Sequence, residues 1–366
     1  MTRKSMPPSR CLALILLLVP AVARADAPRR AENLVVVILD GFRWQEVFSG
    51  ADDVLIHAKH GGVKDLLGLK KRYWRDDAEQ RRDCLLPFFW NTVAREGQIF
   101  GDAFCNARAA VTNGLKFSYP GYSEMLCGFP DRRIASNDKR LNPNVNVLEF
   151  LQQQPAFKDR IGVFCTWDVF PYIFNVKRSG LKVSSGWFPL ADTPLTERQR
   201  AVNDLIERLP RIWPDNGFDV TTMQAALEHL KRHKPRVMFI GLGETDEWGH
   251  ARRYDLYLDA ANKADRFLAE LWTLLQKMPE YAGKTNLLIT TDHGRGPTRE
   301  NWPDHGPRIP NAEQIWIAAM GPDIPCLGVR RDIETTQSQV AATIARLLGE
   351  DYNLFCPKAA RPLPLK

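Results

Sequence analysis

Hydrophobic and polar positions change period several times along this chain, and the changes mark its elements. Leu34–Leu39 (LVVVIL) is an unbroken β-branched run, the pattern of a strand buried on both faces of a parallel sheet. Arg236–Leu242 (RVMFIGL) and the apolar run from Asn286 into Thr290-Thr291 repeat it. Shorter runs predict strands over Gln98–Ala103, Ile161–Cys165 and Ile315–Met320. Between them the spacing turns helical, over Leu85–Glu96, Asn144–Gln153, Phe218–His233, Tyr254–Met278 and Thr335–Leu348. The fourth of these carries Leu258, Ala261, Ala264, Leu268, Leu271 and Leu275 on one stripe. Gly97 and Pro235 stop two others. Strands alternating with helices predict an α/β fold whose central sheet is mostly parallel and covered by helices on both faces.

Two stretches break the rhythm. Phe42–Arg82 is irregular, with Gly61-Gly62 and a basic, aromatic patch over Lys70–Arg75. Residues 166–216 interleave Trp167, Phe170, Tyr172, Phe174, Trp187 and Phe188 with Pro and Gly. That pattern suits a cap-like insertion over a pocket, and equally an aromatic insertion into the core. Residues 30–362 are read as one catalytic domain containing it.

Composition changes the picture mainly at the N-terminus. Arg3, Lys4 and Arg10 precede the apolar core Cys11–Ala23, and small residues follow, so residues 1–25 read as a signal peptide cleaved after Ala25 or Ala27. The mature chain is expected in the periplasm or outside the cell, with no membrane span. The formal charge of +7 includes four basic residues of that segment, and without them 46 basic face 43 acidic residues. Such a surplus gives no reason to expect binding to a nucleic-acid duplex. Six cysteines remain; Cys326 with Cys356 is the favoured disulfide, and Cys105, Cys127 and Cys165 equally read as buried thiols.

The candidate chemistry gathers where apolar runs end. Asp40-Gly41 follows the first, Asp246 and His250 stand just beyond Arg236–Leu242, and Asp292-His293-Gly294 follows Thr291. A second His-Gly, His305-Gly306, returns after a short polar loop. Acids and imidazoles at the C-terminal tips of parallel strands lie where α/β sheets bind ligands. Six such oxygen and nitrogen donors suit two borderline divalent ions, zinc first, better than calcium or magnesium. His57, His60, His229 and His233 sit in polar or helical surroundings and read as solvated. Ser118, before Tyr119-Pro120, is a natural helix N-cap; the same position would favour an alkoxide or a bound phosphate.

With these motifs in order (Asp40-Gly41, Ser118-Tyr-Pro-Gly, Asp246-x-x-x-His250, Asp292-His293-Gly294, His305-Gly306), the chain resembles the alkaline phosphatase superfamily. Within it the likeness is to the type I phosphodiesterase and nucleotide pyrophosphatase branch. The resemblance implies that Asp246, His250 and His305 hold one zinc, and that Asp40, Asp292 and His293 hold the other with the Ser118 oxygen. It further implies a covalent phosphoserine on Ser118 and a small phosphorylated substrate, monoester or diester. The family's phosphate-oxygen donor is an Asn, for which Asn137 is the candidate and Asn113 the second. Lys177, Arg178 and Arg295 are the cations available for a monoester. A sulfatase or phosphonate hydrolase of the same superfamily is the alternative, although Cys127-Gly-Phe-Pro130-Asp-Arg132 has one residue too many for a sulfatase motif. An inactive zinc-binding scaffold is a further one. Shortening the Gly294–Asp304 loop should disturb both ions.

Overall fold

The computed structural model describes residues 1–2 and 30–365, so the expected signal peptide and its cleavage sites lie outside the described residues. Eleven strands run in order: β1 Asn33–Leu39, β2 Gly97–Phe100, β3 Arg108–Ala110, β4 Ile161–Cys165, β5 Val183–Ser185, β6 Val237–Leu242, β7 Thr285–Thr290, β8 Gln314–Ile315, β9 Ile317–Met320, β10 Gly328–Val329 and β11 Glu334–Thr336. Eight of them form the central sheet in the order β10-β2-β9-β7-β1-β6-β4-β5, and β11-β3-β8 form a small second one. The central sheet is parallel except at β9, which runs antiparallel to both β2 and β7.

Every residue of β1 is buried, and its two faces feed two cores. Val35, Val37 and Leu39 pack against the long helix Tyr254–Lys277, while Leu34, Val36 and Ile38 pack against the helices Ser118–Cys127 and Gln339–Leu347. Burying each such aliphatic side chain contributes about 1.5–3 kcal/mol, which is why an unbroken β-branched run belongs in the middle of the sheet. β7, β1 and β6 are adjacent and parallel, in the register Ile38↔Thr290 and Leu39↔Leu242. Their C-terminal tips therefore lie side by side, and Asp292, Asp40 and the Asp246 segment follow immediately.

The structure departs from the periodicity at several points. The run Ile315–Met320 divides at Trp316 between the two sheets. Thr335 belongs to β11, and the last long helix starts at Gln339. The Leu85–Glu96 helix is two pieces, because Pro87 interrupts the amide ladder. Residues 166–216 also divide: Phe170 and Phe174 join the main core beside Phe239, whereas Trp187, Val202 and Ile206 make a small cluster under the helix Glu197–Arg208. No disulfide forms among the six described cysteines. Cys326 instead donates to the carbonyl of Glu96, and Cys356 packs beside the other core.

Asp265, on the long helix, joins it to the piece after Pro87. Its carboxylate accepts the amide hydrogens of Phe88 and Phe89, each at 2.8 Å. Burial nevertheless pushes this carboxyl up to about 7. The native state thus keeps a proton that the unfolded chain has released. The stability this group contributes is therefore complete below about pH 4 and is lost as pH rises towards 7. The stability of the wild type minus that of Asp265→Asn, from urea unfolding, should fall by about 2–4 kcal/mol across that window. A pH-independent difference would show that the carboxyl titrates normally.

Candidate active site

Asp40 and Asp292 follow β1 and β7, and each has one carboxylate oxygen held and one bare. Tyr122 Oη donates to Asp40 Oδ2 at 2.9 Å, and the amide of Gly41 donates to Asp292 Oδ1 at 3.1 Å. Asp40 Oδ1 and Asp292 Oδ2 are buried without a hydrogen-bond partner. Between them stands His293, whose Nε2 lies 3.4 Å from Asp40 Oδ1 and 3.5 Å from Asp292 Oδ2. Its Nδ1 is 3.0 Å from the carbonyl of Gly294, which can only accept, so Nδ1 carries the proton and Nε2 presents a lone pair. Two bare carboxylate oxygens and an imidazole lone pair repel one another unless a cation lies among them. Burial and the neighbouring Asp246 raise the Asp40 carboxyl well above its usual range; burial and Asp40 do the same to Asp292. This donor set fits a borderline divalent ion.

The second group stands on the next strand end. Glu244–His250 is helical where the glycine at 249 equally allowed a loop, and Asp246 and His250 are one turn apart with Oδ2 and Nε2 at 3.2 Å. His305 Nε2 lies 2.9 Å from His250 Nε2, and its Nδ1 donates to the carbonyl of Lys116 at 3.1 Å, so its Nε2 lone pair also faces inward. Asp246, His293 and His305 each bring a ligand atom within 4.8 Å of the others, as do Asp40, Asp292 and His293. The two groups share His293 and are one continuous site.

Ser118 is the first residue of its helix and not the cap: Phe117 holds the cap position, and the serine hydroxyl lies 3.4 Å from His293 Nε2. An imidazole therefore stands beside the serine. Gly121, one turn on, lets this helix approach, since a Cβ there would sit 2.4 Å from the carbonyl oxygen of Asp292. Glu124 fixes the helix from behind, accepting from Thr112, Asn113 and Ser338. Asn113 is spent in that contact and on the amides of Leu115 and Lys116. Asn137 is arranged differently. Its Oδ1 accepts the amide of Tyr119, next to Ser118, which anchors the side chain at the same helix end.

The sequence offered Arg295 only as a cation for a monoester and did not single out Tyr122, which stands one helical turn after Ser118. Arg295 is fully buried. Its guanidinium binds the carboxylate and carbonyl of Asp246, the carbonyl of Gly41 at 3.1 Å and the carbonyl of Pro303. Burial alone would raise Asp246, but Arg295, with His250 and His305, holds it well below the usual carboxylate range. Gly41, at φ +58°, is required here, because a Cβ would lie 2.5 Å from Asp246 Oδ1. Arg178 is likewise committed, to Glu149 and two backbone carbonyls. Lys177 lines a separate hollow with Lys139 and Asp168.

Residues 70–349 match the family described as type I phosphodiesterase / nucleotide pyrophosphatase. The chain belongs to that family. The matched span contains every candidate residue of this phosphodiesterase-family site except Asp40. The fold is that of the alkaline phosphatase superfamily. The lipoteichoic acid synthase LtaP from Listeria monocytogenes superposes with a TM-score of 0.55 at 12% identity, over 88% of this chain and 73% of that one. The alkaline phosphatase PafA gives 0.53 at 11% identity, over 88% and 97%. A putative sulfatase from Bacteroides thetaiotaomicron VPI-5482 gives 0.53 at 12%, over 91% and 72%. No curated protein matches the chain in sequence.

Replacing Arg295 by Met leaves the Gly41, Pro303 and Asp246 carbonyls without their donor and Asp246 without its counter-charge. Urea unfolding should show a loss of about 3–5 kcal/mol. Arg295→Lys should recover only part of it, because one ammonium cannot span the same fork of acceptors. Unchanged stability in the Met variant would mean these contacts are idle.

Proposed function

We propose that this phosphodiesterase-family chain hydrolyses phosphoester bonds of small phosphorylated molecules, with Ser118 as nucleophile and two divalent ions, zinc first. One observation carries the reading above all. The bare oxygens of Asp40 and Asp292 and the His293 lone pair share one buried space beside the Ser118 hydroxyl. Asp40, Asp292, His293 and Ser118 would hold one ion, and Asp246, His250 and His305 the other. Bound there, such ions supply Lewis-acid charge and lower the pKa of the serine hydroxyl.

The rest of the chemistry belongs to the chain. Ser118 Oγ attacks phosphorus in line and the ester oxygen departs on the opposite side, giving phosphoserine. Water then attacks the same phosphorus and releases Ser118 with the phosphoryl product. The first turn of a helix puts the developing negative charge at the positive end of its dipole. Asn137, oriented by the Tyr119 amide, would donate from Nδ2 to a non-bridging phosphate oxygen. Arg295 keeps Asp246 ionised and in place. The 187–216 part of the insertion would wall the pocket, since Trp213 packs edge-to-face against Trp248, two residues from Asp246. No helix of the described residues is long and apolar enough to cross a membrane, and an exported protein is the reading the N-terminal sequence supports.

A sulfatase-like nucleophile finds no support at Cys127. That thiol is buried at the far end of the Ser118 helix, and burial pushes it up to about 12. Ser118→Ala should keep its zinc and lose hydrolysis of bis-p-nitrophenyl phosphate by roughly a thousandfold or more. Asp292→Asn should instead lose about one equivalent of zinc relative to wild type. Wild-type turnover by Ser118→Ala on both the diester and p-nitrophenyl phosphate would remove Ser118 from the mechanism.

A further inference from the structure

Two histidines outside this site also stand one helical turn apart. His229 and His233, on the helix Asp219–His233, face the same way, their ring centroids 4.5 Å apart. Against them lies Asp192, from the segment between β5 and the helix Glu197–Arg208. His233 Nε2 is 3.0 Å from Asp192 Oδ2, and one ligand atom from each of the three residues lies within 4.8 Å of the other two. The expectation that these histidines are merely solvated fails for His229, which is half-buried against Phe164.

The protonation states and supports suit ligands. Burial, and then His233, push the His229 imidazole down to about 4, so it is neutral with a lone pair available at ordinary pH. Burial works against ionisation of Asp192, but hydrogen bonds from His233 and Gln199 hold its carboxyl below the usual value. Gln199, itself 1% exposed, is oriented for that contact. Its Oε1 accepts from the amide of Thr196 and from Arg232, so its Nε2 must turn to Asp192 Oδ2, 2.5 Å away. The nearest cations are occupied elsewhere or stand back: Arg232 is held by Pro194 and Gln199, and Lys182 lies on the wall of the same hollow. That hollow, about 490 Å³, opens beside the three residues and leaves room for water to complete a coordination shell.

We propose that Asp192, His229 and His233 form a second metal site, for one borderline divalent ion such as zinc, that ties the segment around Asp192 to the helix Asp219–His233. Two imidazoles from one helix face and a carboxylate from a separate element are a donor set for zinc, not for calcium or magnesium. The site lies beside Gly162, near the start of β4, whereas the Ser118 site lies beyond the strands' C-terminal tips. Its reach is through the segment it fastens. That segment leads into the Trp187–Val202–Ile206 cluster and on to Trp213, which rests on Trp248 of the Asp246 helix.

The test is calorimetric titration of zinc alone into chelator-stripped full-chain protein, with limited proteolysis of the segment around Asp192 in parallel. Wild type should bind about one equivalent more than His233→Ala or Asp192→Asn. Asp292→Asn should keep this equivalent while losing a different one, which separates the site from the proposed catalytic ions. Zinc should slow cleavage around Asp192 in wild type and in Asp292→Asn, and should have no effect in the other two variants. His233 and Asp192 are only partly covered, so both substitutions are compatible with folding. His233→Ala should hydrolyse bis-p-nitrophenyl phosphate as wild type does at saturating zinc. Equal zinc stoichiometry in wild type, His233→Ala and Asp192→Asn would overturn the proposal and leave an ordinary ion pair.

Discussion

Two carboxylates buried against each other at the ends of adjacent strands, Asp40 and Asp292, set the condition to which much of this structure answers. Each is anchored through one oxygen, by Tyr122 or by the Gly41 amide, and each turns its other oxygen to a space shared with the His293 lone pair. Such an arrangement is unfavourable in a low-dielectric interior without positive charge. The surrounding elements hold it rigidly all the same: β1 and β7 in register, the Ser118 helix packed in through Gly121, and Glu124 locking that helix from behind. The result is a rigid, preformed donor set of the kind the proposed cation would require.

Arg295 answers the same condition at the third carboxylate. A guanidinium can bridge the Gly41 turn, Asp246 and the Pro303 loop at once because its donors form a planar fork. It thereby joins the segments that follow β1, β6 and β7. The phosphodiesterase-family motifs are spread over more than two hundred residues, and this one buried side chain helps to make them a single site. The peripheral Asp192–His229–His233 group shows the same logic on a smaller scale, with Gln199 in the orienting role.

Much of this was legible in the chain. Runs such as Leu34–Leu39 can satisfy their apolar side chains only between two layers, so the central strands and their parallel sense followed from pattern. The acids and imidazoles just past those runs, with Ser118 before Tyr-Pro, carried the family resemblance. Errors fell where a local signal competes with tertiary contacts. Ser118 is no cap because its hydroxyl turns to His293, and Thr335 is a strand residue because β3 offers it a partner. Cys326 and Cys356 form no disulfide: Cys326 is exposed and donates to the Glu96 carbonyl, while Cys356 packs on a hydrophobic cluster.

The sequence by itself determined which residues could carry the chemistry, because strand periodicity puts a residue after a buried run at the sheet's C-terminal edge whatever the surroundings. Only the tertiary structure decided which of them meet. That β7, β1 and β6 are neighbours, that Arg295 turns inward to Asp246, and that Asn113 is consumed by Glu124 while Asn137 reaches the Ser118 helix all depend on long-range packing. So does the partnership of His229 and His233 with Asp192. Helical spacing paired the two histidines, but the third residue comes from a segment whose position no local pattern encodes.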